Sequence, residues 1–184
     1  MTLDNVRTQD YETFIAPFLV NGVILDSCVL YELIDGLVKT RISKKKLDPL
    51  SEFEQINVVF DLLHLTSKWN KLYITPHILT ETCRYLETTY NFRHDYAKIV
   101  EEVFPIFENT SEYPVSKDNF CKKIDPQQPI IEAGDISIFV TADNFTNRKE
   151  KIAVLTKDSR IRNKYKNLSY VLVMDYRTIA YNVV

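Results

Sequence analysis

The sequence predicts an α/β fold, a three-layer sandwich in which a central, mainly parallel sheet of four to five strands is flanked by helices. Short apolar runs alternate with longer stretches of helical apolar spacing, which is typical of a parallel sheet covered on both faces. Hydrophobic residues make up 45% of the 184 residues, enough for one domain with a substantial core. The chain has only three glycines, which argues against many tight hairpins.

Short apolar segments are predicted to be strands because each is a run of buried-type residues that ends at a polar residue. The four clearest cover residues 22–27, 72–75, 152–155 and 170–173. A fifth, shorter strand is predicted at residues 113–115. Helical stretches separate these strands, so the sequence predicts that the strands run parallel.

Helices are predicted from apolar spacing and from start and stop signals. Asp48-Pro49 and Thr75-Pro76 each place a capping residue before a proline at the first helical position. The predicted helices cover residues 28–38, 49–68, 76–86, 92–104, 134–147, 158–165 and 175–184.

A single domain is predicted over residues 1–184, because no repeat, linker or low-complexity segment divides the chain. Residues 1–20 have helical periodicity, which predicts an N-terminal helical extension before the first strand. Residues 105–131 are rich in proline and polar residues and are predicted to form an irregular insertion.

Composition excludes several classes of protein. No stretch reaches the ~18 apolar residues of a transmembrane helix, and the first residues lack the pattern of a signal peptide. Three widely spaced cysteines without a Cys-x-x-Cys pair predict reduced thiols in a cytoplasmic protein. The three histidines lack metal-ligand spacing, so zinc is not expected.

The net charge of −2 is not that of a protein that coats DNA, but the basic residues are clustered. One cluster lies between Arg148 and Lys166 and flanks Asp158, and a second lies between Lys39 and Lys46. Each cluster is either a solvated face or a surface for a polyanion, and the first fits a polyanionic substrate held near a carboxylate site.

Four acidic residues occupy similar settings. Asp26 ends an apolar run, Glu81 lies about one helical turn beyond a strand, Asp135 opens a helix, and Asp158 follows a strand. In an open α/β sheet, ligands bind outside the carboxyl ends of the strands, where these acids can converge. Two carboxylates ~4 Å apart repel by roughly 4 kcal/mol at an effective dielectric of ~20. A divalent ion relieves such repulsion, and hard oxygen ligands favour Mg²⁺ or Mn²⁺.

Each of these acids also has an ordinary structural interpretation. Asp26, Asp135 and Asp158 could cap the helices that they precede or open, and Glu81 could be a solvated helix residue. These alternatives are not independent of one another, because a correct fold prediction brings all four acids to one end of the sheet.

The chain resembles the PIN domain, a family of metal-dependent ribonucleases that includes the toxins of toxin–antitoxin pairs. The family pattern has an aspartate ending the first strand and a glutamate a few residues past a Thr/Ser-x-Pro-like strand end. A further aspartate then opens a helix, and a Thr-x-Asp follows the next core strand. The matching pieces occur here in order, at residues 23–30, 74–81, 134–138 and 154–158.

The resemblance implies a PIN-like sandwich and an Mg²⁺- or Mn²⁺-dependent endoribonuclease. Asp26, Glu81, Asp135 and Asp158 would be its metal-binding and catalytic residues. Water would attack phosphorus in RNA to leave a 5′-phosphate and a 3′-hydroxyl. The implied partners are RNA, a cognate antitoxin or other protein, and a second copy in a homodimer.

Further site residues are predicted beside these acids. The hydroxyls of Ser27 and Thr156 are expected to orient Asp26 and Asp158. Lys157, Arg160 and Arg162 are candidates for contacts with RNA phosphates.

Three other functions remain to be weighed. A catalytically silent PIN-like scaffold that binds RNA or a protein partner would keep the fold without turnover. A phosphatase of the haloacid dehalogenase type is disfavoured, because such enzymes need a second aspartate two residues after Asp26, where this chain has Cys28. A nucleotide-binding protein is disfavoured by the lack of a glycine-rich loop.

Overall fold

A computed structural model describes residues 8–66, 68–124, 127, 132–166 and 169–183. It has the predicted architecture, a parallel sheet flanked by helices in a three-layer sandwich. Four parts of the predicted organisation lie outside the described residues. They are residues 1–7 of the N-terminal extension, residues 125, 126 and 128–131 of the insertion, and the single residues 67 and 184 of the predicted helices 49–68 and 175–184.

The sheet has five strands within the described residues, all parallel, in the order β3-β2-β1-β4-β5. The strands are β1 (Val23–Leu25), β2 (Leu72–Ile74), β3 (Ser111–Glu112), β4 (Ile152–Thr156) and β5 (Val171–Asp175). In the register of the sheet, Ile24 of β1 lies between Tyr73 of β2 and Val154 of β4. Strand order reverses between β1 and β4, so a crevice opens at their carboxyl ends.

The described residues also form the helices that precede, connect and follow the strands. They are α1 (Thr8–Leu19), α2 (Ser27–Leu37), α3 (Glu52–Leu62), α4 (Pro76–Tyr90), α5 (Tyr96–Asn109), α6 (Lys117–Cys121), α7 (Ala133–Asn147), α8 (Ser159–Tyr165) and α9 (Tyr176–Val183). A π-helical turn, Val38–Ile42, follows α2, and a 3₁₀ turn, Trp69–Lys71, precedes β2. None of the described helices is long and apolar enough to cross a membrane.

Of the two predicted helix N-caps, one is confirmed and the other is wrong. Thr75 caps α4 as predicted, because its hydroxyl accepts a hydrogen bond from Ile78 N at 3.3 Å and Pro76 opens the helix. The prediction for Asp48 was wrong, since α3 begins only after Ser51. The Asp48 side chain instead accepts from Leu50 N at 2.8 Å and forms a separate turn before the helix.

The region around Pro105 also differs from the prediction. Helix α5 passes through Pro105 and ends at Asn109, although it was predicted to stop near Phe104. Proline removes the bond to the carbonyl four residues earlier. That carbonyl belongs to the exposed Glu101, which water can reach. The following strand, β3, is displaced to Ser111–Glu112 from the predicted residues 113–115.

The core lies on both sides of the central strands. Every residue of β1 and of β4 is buried, which explains why their sequences are continuous apolar runs without alternation. Helix α7 is also largely buried, from Gly134 to Ala142. Asp26 and Asp158 thus follow strands that are packed on all sides.

Candidate functional site

A cleft of about 730 Å³ opens where β1 and β4 end, and all four predicted acids line it. Asp26 follows β1, Asp158 follows β4, Glu81 lies on α4 and Asp135 lies in the first turn of α7. The cleft therefore occupies the crevice at which strand order reverses, where α/β sheets bind their ligands.

Asp26 is held by neutral hydrogen-bond donors. It is only 4% exposed, and its backbone N–H donates to Leu155 O at 3.1 Å, which continues the ladder between β1 and β4. Thr156 Oγ1 donates to Asp26 Oδ2 at 2.5 Å, and Cys28 Sγ donates to the same oxygen at 3.1 Å. Ser27 Oγ lies 3.4 Å from Asp26 Oδ1, which is a long and weak hydrogen bond.

Cys28 contributes to this arrangement as a thiol. Burial and the adjacent charge of Asp26 raise the pKa of the Cys28 thiol, so it keeps its proton near neutral pH. This contact of Cys28 with Asp26 was not predicted from the sequence. The signal was its position two residues after Asp26, in the first turn of α2.

Thr156 connects the two strand ends. Its hydroxyl donates to Asp26 and accepts from Asp158 N at 2.8 Å. Asp158 also caps α8, because its Oδ1 accepts from Arg160 N at 2.7 Å. The helix-capping interpretation of Asp158 therefore applies, and it coexists with the location of this residue in the cleft.

Arg160 lies between two of the acids. Its guanidinium bonds Asp158 Oδ2 through Nε at 2.8 Å and Nη2 at 2.6 Å, and Nη2 lies 3.2 Å from Asp135 Oδ2. Asp135 is 4% exposed, whereas the Arg160 side chain is 54% exposed. A largely exposed cation thus pairs with a buried carboxyl group.

The pKa values of these two carboxyls shift in opposite directions. Burial raises the pKa of Asp135 to about 7 despite the nearby Arg160, and the charges of Asp26 and Asp158 add to the rise. Burial also raises the pKa of Asp158, but hydrogen bonds from Arg160 outweigh it and leave that pKa below its usual range. Arg160 therefore stabilises the charge of Asp158 more than that of Asp135.

Glu81 is fixed by the start of α7. Gly134 N donates to Glu81 Oε1 at 2.8 Å, so a carboxylate from α4 satisfies one of the free N–H groups of another helix. A Cβ at residue 134 would lie 2.6 Å from Glu81 Oε2. A larger residue at position 134 would have to push the Glu81 carboxylate aside, so glycine leaves room for this contact.

The three predicted phosphate contacts all have acidic partners. Lys157 Nζ bonds Glu32 Oε1 at 2.9 Å and Glu52 Oε2 at 2.5 Å. Arg160 pairs with the acids of the cleft, and Arg162 Nη1 lies 3.7 Å from a carboxylate oxygen of Asp175 at the end of β5. Lys157 lines the cleft, but its ammonium is already neutralised by two carboxylates.

The cleft is also lined by residues that were not predicted from the sequence. Tyr31 and Tyr85 stack with ring centroids 4.5 Å apart, and both line the cleft. Arg84 and Glu132 line it as well, and Arg84 is exposed. The signal was spacing, because Tyr31 lies four residues after Ser27 and Arg84 three after Glu81.

The donor set fits Mg²⁺ or Mn²⁺ in chemistry, since it consists of carboxylate oxygens, which these ions prefer. The side chains are not grouped around one point in this structure. Among the described residues, no three His, Cys, Asp or Glu side chains are arranged so that they could hold an ion. Arg160 supplies the positive charge between Asp135 and Asp158.

Comparison with known proteins leaves this site as the main guide to function. No protein-family model matches the chain, and no curated protein matches it significantly in sequence.

Proposed function

We propose that this protein is an Mg²⁺- or Mn²⁺-dependent endoribonuclease of PIN type that hydrolyses RNA phosphodiester bonds in the acidic cleft. One observation carries the proposal. Four carboxylates from four separate elements line one cleft at the reversal of strand order. Such a concentration of negative charge costs stability unless a cation binds there, and it is the donor set that hard divalent ions prefer.

Asp26, Glu81, Asp135 and Asp158 would hold the ion. Bound Mg²⁺ or Mn²⁺ supplies electrostatic stabilisation of the charge that develops on a phosphodiester, and it lowers the pKa of water. Thr156 and Cys28 orient Asp26, and Gly134 N–H orients Glu81. Hydrogen bonds of this kind fix the direction of a metal ligand and raise its affinity.

Arg160 has a second role in this proposal. Its exposed side chain can leave Asp135 when a divalent ion neutralises that carboxyl group. If its bonds to Asp158 also break, the guanidinium could bond two phosphate oxygens of a bound phosphodiester. Arg84, also exposed on the cleft wall, is a further candidate for a phosphate contact.

A catalytically silent PIN-like scaffold is the second candidate. The arrangement of Arg160 favours it, because the ion pairs with Asp135 and Asp158 already relieve the repulsion that would draw in a metal. Such a protein would bind RNA or a protein partner without cleaving it. A cytoplasmic location, pairing with an antitoxin and a homodimeric state remain predictions under either candidate.

The test is cleavage of a mixed pool of single-stranded RNA by the purified protein in Mn²⁺. Asp26→Asn should lower the rate at least about 100-fold, because the lost charge removes several kcal/mol of stabilisation at the metal. Asp175→Asn is the matched control, since Asp175 also ends a strand but is outside the residues that line the cleft. Asp175→Asn should cut RNA at nearly the wild-type rate, and EDTA should stop cleavage by this variant and by the wild type.

Cleavage that survives Asp26→Asn would refute the assignment of the site. Calorimetric Mn²⁺ binding that depends on Asp26 but brings no cleavage would favour the scaffold.

A further inference from the structure

A second concave surface lies apart from the acidic cleft, between α3, α9 and the segment that precedes α3. We call it the α3–α9 groove. Its volume is about 1130 Å³, and its apolar lining consists of Leu47, Pro49, Leu50, Val58, Ala180 and Tyr181. Leu50 is 74% exposed and Tyr181 is 87% exposed. Exposed apolar side chains that are gathered in one groove mark an interaction site.

The groove is preformed rather than loose. Leu50 N donates to Asp48 Oδ1 at 2.8 Å, and Leu50 O accepts from Gln55 Nε2 at 2.8 Å. The backbone of Leu50 is therefore held by hydrogen bonds on both sides, while its side chain faces water. A backbone that is fixed in this way loses little entropy when a partner covers the side chain.

The rim of the groove has unpaired positive charge. Lys45 and Lys46 line it, and Lys44 precedes them. All three are exposed, and within the described residues none of them takes part in an ion pair. The basic segment is also held in shape, because Lys45 N donates to Lys39 O at 2.8 Å and Lys44 adopts a left-handed backbone conformation.

The acidic residues of the groove do not balance these lysines. The Glu52 carboxylate is occupied by Lys157 Nζ at 2.5 Å and by Tyr176 OH at 2.7 Å. Glu54 also lines the groove and keeps its charge, since its partner Asn57 Nδ2, at 3.4 Å, is neutral. One carboxylate against the three lysines at residues 44–46 leaves the net charge of this side positive.

We propose that the α3–α9 groove binds an acidic amphipathic helix of a protein partner. The apolar face of such a helix would cover Leu50 and Tyr181, and its Asp or Glu residues would pair with Lys45 and Lys46. The apolar lining favours a peptide over RNA, whose backbone offers few groups to cover exposed leucine and tyrosine. This proposal is independent of nuclease activity, because none of these side chains belongs to the four acids of the cleft.

The test begins with a displayed library of 16-residue helical peptides, selected on the full chain and depleted on Leu50→Glu. The enriched peptides should have large apolar residues at i, i+4 and i+7, with Asp and Glu on the flanking positions. The best peptide is then labelled and titrated by fluorescence anisotropy. Leu50→Glu and the double variant Lys45→Glu/Lys46→Glu should each weaken its binding at least about tenfold.

Two controls distinguish binding in the groove from nonspecific binding of the peptide. Phe92→Glu removes another apolar side chain, 93% exposed and outside the groove lining, and should change the Kd less than twofold. A charge-reversed peptide should prefer the Lys45→Glu/Lys46→Glu variant over the wild type. Equal melting temperatures for Leu50→Glu and wild type would show that the variant is folded.

Three peptide-binding results would overturn the proposal. They are a selection without groove-dependent peptides, groove-dependent peptides without acidic enrichment, and displacement of the peptide by single-stranded RNA. Self-association of the wild type that Leu50→Glu abolishes would also overturn it, in favour of a second copy of this chain.

Discussion

The two halves of the acidic cleft are stabilised in different ways. On the β1 side, Asp26 accepts hydrogen bonds from neutral groups of Thr156 and Cys28. On the α7–α8 side, Asp135 and Asp158 are held by one charged side chain, that of Arg160. Neutral donors can orient a carboxylate and leave its charge free for an ion, whereas a cation must be displaced first. The β1 half is thus prepared for a ligand, and the α7–α8 half is the half that must rearrange.

The largest effect should come from removing the charge of Asp135. Its pKa in the folded protein is about 7, so the folded state holds a proton from pH 4 to 7 that the unfolded chain has lost. The contribution of this proton to the free energy of unfolding has its full value below pH 4 and is lost as the pH rises through 7. Asp135→Asn should therefore be more stable than wild type at pH 8, by a few kcal/mol, and nearly equal at pH 4.

Thermal melts of both proteins across this pH range, without divalent ions, measure the difference. Asp158→Asn is the opposite control, because the pKa of Asp158 is lowered in the fold. Its charge stabilises the protein above the unfolded pKa, and that contribution is lost as the pH falls. Asp158→Asn should therefore be less stable than wild type at pH 8. A stability gap for Asp135→Asn that does not change with pH would contradict the raised pKa of Asp135.

A middle-sized effect is expected for Thr156→Val on the β1 side. The change leaves Asp26 Oδ2 and Asp158 N without the hydroxyl that joins them, at a cost of about 1–3 kcal/mol for unsatisfied buried groups. Urea unfolding of the variant measures the loss. Thr141→Val is the matched control, since Thr141 is equally buried but only donates to Ser137 O within its own helix. Equal losses for both variants would mean that Thr156 does not couple the strand ends.

The smallest effect is expected for Arg160→Gln, which removes the cation from the α7–α8 half. At pH 8.5, which is above the pKa of about 7 of Asp135 in the wild type, Mn²⁺ should bind roughly threefold to tenfold more tightly to the variant, because no ion pair has to break. Isothermal titration gives the affinity, and Arg162→Gln serves as control because Arg162 pairs with Asp175 outside the cleft. Weaker Mn²⁺ binding by Arg160→Gln would show that Arg160 does not compete with metal.

Much of the fold could be predicted because the decisive signals are local. The buried strands β1 and β4 are visible as apolar runs, and the cap at Thr75 is read from a threonine that precedes a proline. The edge strand β3 could not be placed, because it consists of two polar residues that pair with β2 only in the tertiary structure. The passage of α5 through Pro105 depends on solvent access to one carbonyl group, which a sequence does not show.

The location of the four acids could likewise be predicted from strand ends and helix starts. Their partners could not. Whether Arg160 turns toward Asp135 and Lys157 toward Glu32 and Glu52 depends on side-chain conformations in the folded protein. The approach of Gly134 to Glu81 depends in the same way on how α7 packs against α4.

The pairing of β1 with β4 also has a consequence during synthesis. Thr156 follows its hydrogen-bond partner Asp26 by 130 residues. At about 5–20 residues per second, a ribosome adds Thr156 roughly 6 to 26 seconds after Asp26. Until then β1 has β2 as its partner on one edge, and a nascent chain that ends before α7 carries only Asp26 and Glu81 of the four acids. The timing of translation thus delays assembly of the charged cleft until its last supporting strand has left the ribosome.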